Sequence, residues 1–470
     1  MMNDVILRLT GLQKQQLSSH LFPGDGLEAV AILLCGRRNG KDRHCLSVVE
    51  AVPIPHDDCV RTEDRITWPT ELLESLLFRA AKENLAVVKV HSHPGGFDRF
   101  SETDDASDVD FFDAAASWSE SELPHGSVVM LPCGRMFGRY QDQKRCFKPI
   151  DLISVAGEMI EYWTDEAGGF VPDFADRHTQ VLGEQTIGAL RRLRCAVIGC
   201  SGTGSPTVEQ LFRLGIGELI LIDPDHIGPE NLNRIINSRS HHAQSKAAKV
   251  DVLADAIGET ELGTTVISLQ ADLCSPEVVE LVATCDVIFG CVDSVFTRHL
   301  VNKIASTYCI PYIDIGVGIK ADGNGGVAHV TGAVHYLQPD GSSLLSRQVF
   351  TLGEVQADGL RRNDPDEYER RLGSGYIRGA DVSRPAVMPV NVTFSGLGVY
   401  EFLCRIHELR DDGNAEYASQ RWSLSGGIIQ NEIDRGRCRV VSRYLGRGDM
   451  MPLLGMPELT PAKEASHVAG

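Results

Sequence analysis

His91-Ser92-His93 is followed by seven residues, then Ser101, two more residues and Asp104. Side chains alternate across a strand with period two, so two histidines one residue apart reach to the same side and can share one metal ion. Asp104, at the start of a following helix, can add a carboxylate oxygen. Three protein ligands leave a fourth position for water, which is how catalytic rather than structural zinc is held. Leu85-Ala-Val-Val-Lys-Val90 in front reads as a buried strand, and Pro94-Gly-Gly96 behind breaks that strand into a loop. The chemistry to expect is hydrolysis by a metal-activated water at a strand end.

A second constellation lies further along. Arg194 to Gly199 reads as a strand, Gly199, Gly202 and Gly204 as a glycine-rich turn, Thr207 to Leu214 as a helix, and Glu218 to Asp223 as a strand ending in an acid. Glycines in such a turn let backbone amides approach a phosphate at a helix N-terminus, and an acid about twenty residues on reaches ribose hydroxyls. Ser201 stands where a dinucleotide fingerprint would place its second glycine, and no hydride-handling site follows. A dehydrogenase is therefore not the reading. Further strands at Thr265 to Gln270, Val287 to Gly290 and Tyr312 to Gly316 alternate with helices at Lys246 to Ile257 and Phe296 to Tyr308. That alternation predicts an α/β fold with a doubly wound, mainly parallel sheet.

The pattern H-x-H-x7-S-x2-D, with Glu28 upstream in Leu27-Glu-Ala-Val-Ala-Ile-Leu-Leu-Cys-Gly36, resembles the JAMM (JAB/MPN) metalloprotease family. Members cut isopeptide or peptide bonds at the C-terminus of ubiquitin-like proteins. The resemblance implies a JAB/MPN-type α/β domain in which His91, His93 and Asp104 hold zinc with a water. It also implies that Glu28 takes and returns the proton and that Ser101 supports the oxyanion. Glu50, in Ser47-Val-Val-Glu, is the rival base, one strand further on.

Asp223-Pro-Asp225, Asn231-Leu-Asn-Arg234, Lys246 and Cys291-Val-Asp293 resemble, in order and rough spacing, the E1/ThiF/MoeB superfamily of ATP-dependent activating enzymes. This resemblance implies that Gly202 lies against the nucleotide, between Gly199 and Gly204, and that Asp223 holds the ribose. Asn231, Arg234 and Lys246 would contact phosphates, and Asp293 would hold Mg²⁺. Arg177, in Asp176-Arg-His-Thr-Gln, resembles the arginine that reaches into a partner subunit's ATP site, which implies a homodimer. The chain departs from many relatives in lacking paired C-x-x-C zinc clips, and no cysteine occurs from Gly316 to Arg378. Ser342-Ser-Leu-Leu-Ser346 occupies roughly the place of the first clip. Cys404 reads as core of a helix from Val399 to Leu409, whereas Cys438, between Arg437 and Arg439, has neighbours that would lower a thiol pKa but lies far past the expected place, so a direct transfer to a separate protein's cysteine is expected.

These sites must be carried by more than one core, since 470 residues exceed what a single core supports. The expected division is a JAMM-like domain over residues 1–150, a linker at 151–176 with an amphipathic helix from Val155 to Thr164, an adenylating domain at 177–446, and a disordered tail at 447–470. A net charge of −19 excludes a basic nucleic-acid footprint. No apolar run suggests a membrane span, and the start lacks a signal-peptide pattern, so a cytoplasmic protein is expected. The 13 cysteines are scattered without C-x-x-C pairs and are expected to be reduced. The combined expectation is a zinc (iso)peptidase fused to an enzyme that adenylates the C-terminal glycine of a ubiquitin-like protein, with an E2-like protein as further partner. The alternative is activation and maturation of a sulfur carrier for cofactor synthesis.

Overall fold

Runs of valine, isoleucine and leucine, whose branched side chains suit a pleated half-buried surface, set the strands of both halves. The computed structural model describes residues 4–69, 71–118, 122–164, 171–322, 324, 326–373 and 385–459. The chain divides into two units, residues 1–167 with 307–309 and 444–457, and the remainder.

The strands of the first unit are β1 (Asp4–Thr10), β2 (Val30–Asn39), β3 (Arg43–Pro53), β4 (Val60–Arg61), β5 (Ile66–Thr67), β6 (Ala86–Ser92), β7 (Gly126–Met130), β8 (Met136–Gln141), β9 (Phe147–Pro149), β10 (Leu152–Ala156) and β11 (Ile160–Trp163). All but the β4–β5 hairpin join one sheet in the order β11-β10-β1-β3-β2-β6-β7-β8-β9. Alternation along β2 divides its residues between two cores. Ala31, Leu33 and Cys35 pack with Leu17 and Leu21 of α1 (Gly11–Leu21). Val30, Ile32 and Leu34 pack on the other face with Leu73 and Leu77 of α2 (Glu71–Glu83) and Phe111 and Phe112 of α3 (Glu102–Trp118). A strand buried on both faces reads as a continuous apolar run, as β2 does.

The helix expected from Val155 to Thr164 is instead the β10–β11 hairpin. Leu152 to Ala156 is buried throughout and pairs in parallel with Ile6 to Thr10 of β1, while Gly157 turns the chain by donating to the Met159 carbonyl at 3.0 Å. Tertiary pairing overrides the local helical pattern here, and the first sheet extends past residue 150. The tail also differs from expectation. Residues 447–459 are described, with Leu453, Leu454 and Leu459 buried; 460–470 lie outside the described residues. Gly446 accepts from the Gly36 amide at 3.1 Å and Asp449 donates to the Arg37 carbonyl at 2.8 Å. The two backbones cross so closely that a Cβ on Gly36 or Gly446 would lie 2.2 Å from a facing carbonyl oxygen, and one on Gly448 2.5 Å from Arg37.

The second unit carries β12 (Arg194–Ile198), β13 (Glu218–Ile222), β14 (Thr265–Leu269), β15 (Val287–Gly290), β16 (Tyr312–Ala321), β17 (Val327–Leu337), β18 (Ser419–Ser423) and β19 (Ile428–Glu432). They form one sheet in the order β14-β13-β12-β15-β16-β17-β18-β19. The first five are parallel and the last three antiparallel. The helices are α4 (Asp176–Leu190), α5 (Gly204–Arg213), α6 (Ser240–Ser245), α7 (Lys249–Gly258), α8 (Pro276–Val282), α9 (Val295–Thr307), α10 (Leu352–Asn363), α11 (Pro365–Gly373) and α12 (Met388–Ile406). The strand order reverses between β12 and β15, and such a switch point is where open α/β sheets bind ligands.

Candidate functional site

In the first unit, β6 carries His91 and the loop behind it His93. The antiparallel register of β2 with β6 pairs Val30 with His91, and Ser92 donates to the Ala29 carbonyl at 3.0 Å. Continuing that register sets Glu28 opposite His93. His91 Nε2 lies 3.1 Å from His93 Nε2 and 2.9 Å from Asp104 Oδ1, and His93 Nε2 lies 3.4 Å from Asp104 Oδ2. His93 Nδ1 donates to the Phe97 carbonyl at 2.7 Å, which leaves Nε2 with its lone pair toward the cluster. Two imidazole nitrogens facing one another beside a carboxylate fit a divalent cation, and the three residues offer ligand atoms within 4.8 Å of one another. Burial lowers the His91 pKa against its bond to Asp104. Burial also pushes Asp104 up, but hydrogen bonds from the histidines and Ser101 outweigh it and hold the carboxyl well below the usual range.

Glu28 is 5% exposed and lines the same small recess as His91, Asp104, Lys89 and Trp68. Burial raises its carboxyl to about 7. Ser101 caps α3: its hydroxyl donates to Asp104 Oδ2 at 2.8 Å and accepts from the Asp104 amide at 3.1 Å. In this arrangement Ser101 orients the Asp104 carboxylate. Glu50 is on the surface, paired with Arg79 at 2.6 Å.

In the second unit a cavity of about 990 Å³ opens at the carboxyl ends of β12 and β15. Gly199 turns out of β12 at φ +88°, and a Cβ on Gly204 would fall 1.8 Å from the Gly199 carbonyl oxygen. The turn and the start of α5 thus meet backbone to backbone. At the end of β13, Asp223 accepts from the Cys200 amide at 2.8 Å, with Lys249 Nζ 3.3 Å away. Lys249 also meets Asp225 at 2.7 Å. Burial works against its charge, and Asp223 and Asp225 outweigh burial to raise its pKa. Asn391 of α12 stands over Gly202, where a Cβ would come within 2.3 Å of its Nδ2, and that amide nitrogen is buried without a hydrogen-bond partner among the described residues. An unsatisfied buried donor beside glycine-turn amides fits an anionic ligand such as a nucleotide.

A model of the ThiF family matches residues 175–425, more than half of the sequence, and one of prokaryotic homologs of the JAB domain matches residues 13–135. The chain belongs to the ThiF family. It carries a prokaryotic JAB domain ahead of the ThiF region. Adenylyltransferase and sulfurtransferase MOCS3 of Caenorhabditis briggsae is 29% identical over 140 residues, 30% of this chain and 34% of that protein. SAMP-activating enzyme E1 of Haloferax volcanii is 28% identical over 165 residues, 34% of this chain and 55% of that protein. The chain thus spans about a third to just over half the length of these curated relatives. A crystal structure of E. coli MccB with MccA-N7isoASN covers 57% of this chain and 74% of its own, at 20% identity and a TM-score of 0.44.

Within the ThiF region, Gly199, Gly202, Asp223, Asn231, Arg234 and Asp293 line the cavity together, and Gly204 stands behind it as the first residue of α5. Lys246 is not among the described residues lining the cavity. It is exposed, in left-handed conformation (φ +51°) at the end of α6, because the helix expected to start at Lys246 begins only at Lys249. Lys249, at the start of α7, takes the expected place. The sequence pointed to Lys246 alone; Lys249, three residues on, lines the cavity instead. Arg177 is exposed on α4, outside the cavity of its own chain. Asn391, Arg298 and Asp358 also line the cavity and carried no local sequence signal. Cys438 is 4% exposed beneath Ser343, whose hydroxyl lies 3.0 Å from its sulfur. Burial raises that thiol's pKa, and bonds from Ser343 and neighbouring groups outweigh it.

Proposed function

We propose that the ThiF region adenylates the C-terminal glycine of a ubiquitin-like protein and that the JAB domain hydrolyses the peptide or isopeptide bond at that same terminus. The observation that carries the reading is the cavity, where a glycine-rich turn, the acid Asp223 and the cations Arg234 and Lys249 surround one space with Asp293. A carboxylate oxygen of the modifier attacks the α-phosphate of ATP, pyrophosphate leaves, and an acyl-adenylate forms. Arg234 and Lys249 oppose the negative charge on the phosphates, the arginine as a planar fork and the lysine as a point charge. Mg²⁺ held by Asp293 would neutralise charge gathering at the reacting phosphate. Arg177 completes the site from a second copy of the chain, so the working species is a homodimer, in the cytoplasm.

In the JAB domain, zinc held by His91, His93 and Asp104 would lower the pKa of its water to about 7. Glu28 is placed to accept that water's proton and return it to the leaving amine, and Ser101 fixes the Asp104 carboxylate. Two relatives are named as adenylyltransferase and sulfurtransferase and as a SAMP-activating enzyme. The first name supports the second reading, activation of a sulfur carrier. With Cys438 buried, the acyl group passes directly to the thiol of a separate protein, an E2-like or sulfur-donating partner: sulfur attacks the acyl carbon and AMP leaves.

The test is exchange of labelled pyrophosphate into ATP by the full chain with Mg²⁺ and small ubiquitin-like proteins ending in glycine. Exchange should require the terminal glycine and vanish in Asp293→Ala. Neither exchange nor ATP binding with any such protein would make the activating role untenable. Thioester on the partner rather than persulfide would separate conjugation from sulfur transfer.

A further inference from the structure

Asp358 lies on α10, in the crossover that follows β17, yet it reaches the loop that carries Asp293. Its Oδ2 accepts from the Ser294 hydroxyl at 2.7 Å and from the Phe296 amide at 3.1 Å. Ser294 is the residue after Asp293 and caps α9, its hydroxyl accepting from the Thr297 amide at 3.2 Å. Asp358 thus adds a carboxylate cap to a 13-residue helix already capped by the Ser294 hydroxyl. Its other oxygen accepts from Arg361 at 2.9 Å, so the carboxylate is fixed at both ends. Gly359 sits against the Phe296 ring, where a Cβ would come within 3.0 Å. At the far end of α10, Arg362 pairs with Asp272, and both line the cavity with Asp358 and Arg361.

A stability role alone would be met by Ser294, which caps α9 without help. The added carboxylate instead ties a distant helix to the loop whose acid, Asp293, lines the cavity. We propose that Asp358 is a positioning residue: by holding Ser294 and the first turn of α9 it sets the orientation of Asp293 toward the metal that accompanies the nucleotide. Docking of α10 and readiness of the metal site are then one event. This rests on the adenylating reading of the cavity.

The experiment uses the full chain, the non-hydrolysable nucleotide AMPPNP and Mn²⁺ followed by paramagnetic resonance. Wild type should bind the nucleotide and hold Mn²⁺ with it, and Asp293→Asn should bind nucleotide but not the metal. Asp358→Asn should hold Mn²⁺ about tenfold more weakly, as expected for loss of a charged hydrogen bond, with a smaller change in metal-free AMPPNP affinity. Ser294→Ala removes the same bond from the other side and should shift Mn²⁺ binding in the same direction; it decides the matter if Asp358→Asn does not fold. Unchanged Mn²⁺ affinity in the variants overturns the proposal. Equal loss of nucleotide and metal overturns it too, because that marks a merely structural residue. If wild type binds neither probe, the adenylating reading falls and this inference falls with it.

Discussion

At the scale of single residues, Glu28 and Lys249 separate function from background. Glu28→Gln keeps the size of the side chain but cannot take a proton. It should retain zinc, measured by atomic emission, while cleavage of a modifier's C-terminal extension falls about a thousandfold, the middle of the range for a general base. His91→Ala should lose the zinc itself. Full cleavage by Glu28→Gln would show that another group is the base. Lys249→Ala should weaken ATP binding by about ten- to a hundredfold, the worth of a charged contact, whereas Lys246→Ala, exposed at a helix end, should leave it unchanged. Equal effects of the two would contradict the placement. The cluster of His91, His93 and Asp104 was legible because its members follow one another within 14 residues (91 to 104) of one strand-loop-helix passage. Asn391 and Asp358 were not, because only the winding of the chain brings α12 and α10 over β12 and β15.

At the scale of elements, the continuous run of β2 and the β12-turn-α5 unit announced themselves by hydrophobic period and glycine spacing. The β10–β11 hairpin did not, since its pairing with β1 is a long-range choice that local pattern does not contain. The same long-range packing buries charge in unusual company. In the first unit the Arg37 guanidinium lies 3.4 Å from both His44 Nε2 and His125 Nε2. Burial, then Arg37, holds both imidazoles down to about 3, against 6.5 when exposed. The folded state therefore favours neutral rings. Below pH 6.5 the unfolded chain takes up protons that the folded chain refuses, so this stability is complete above 6.5 and is lost as the pH falls toward 3. Each ring should cost about 2 kcal/mol at pH 5. Urea unfolding of the full chain should give a lower midpoint for the first unit at pH 5 than at pH 7.5, and a higher one would refute the argument.

For the whole molecule, the two chemistries should come apart cleanly. Phenanthroline, which removes zinc and leaves excess Mg²⁺ in place, should abolish cleavage and spare pyrophosphate exchange; loss of both would show one activity to depend on the other's metal. If Arg177 serves a second copy, mixing inactive Arg177→Ala with inactive Asp293→Ala should restore part of the exchange through hybrid dimers, and no recovery at any ratio would argue for a site complete within one chain.

The glycine crossing at Gly36, Gly446 and Gly448 has a consequence in time. A ribosome makes the histidine pair before the segment that lies across β2, which emerges only after residues 168–443 have been made. The first unit is therefore begun before the second and receives its last segment, 444–457, after residues 168–306 and 310–443 have been made. A message cut short before codon 446 would yield a JAB sheet lacking its closing segment, so this domain cannot be completed before the ThiF region has been synthesised.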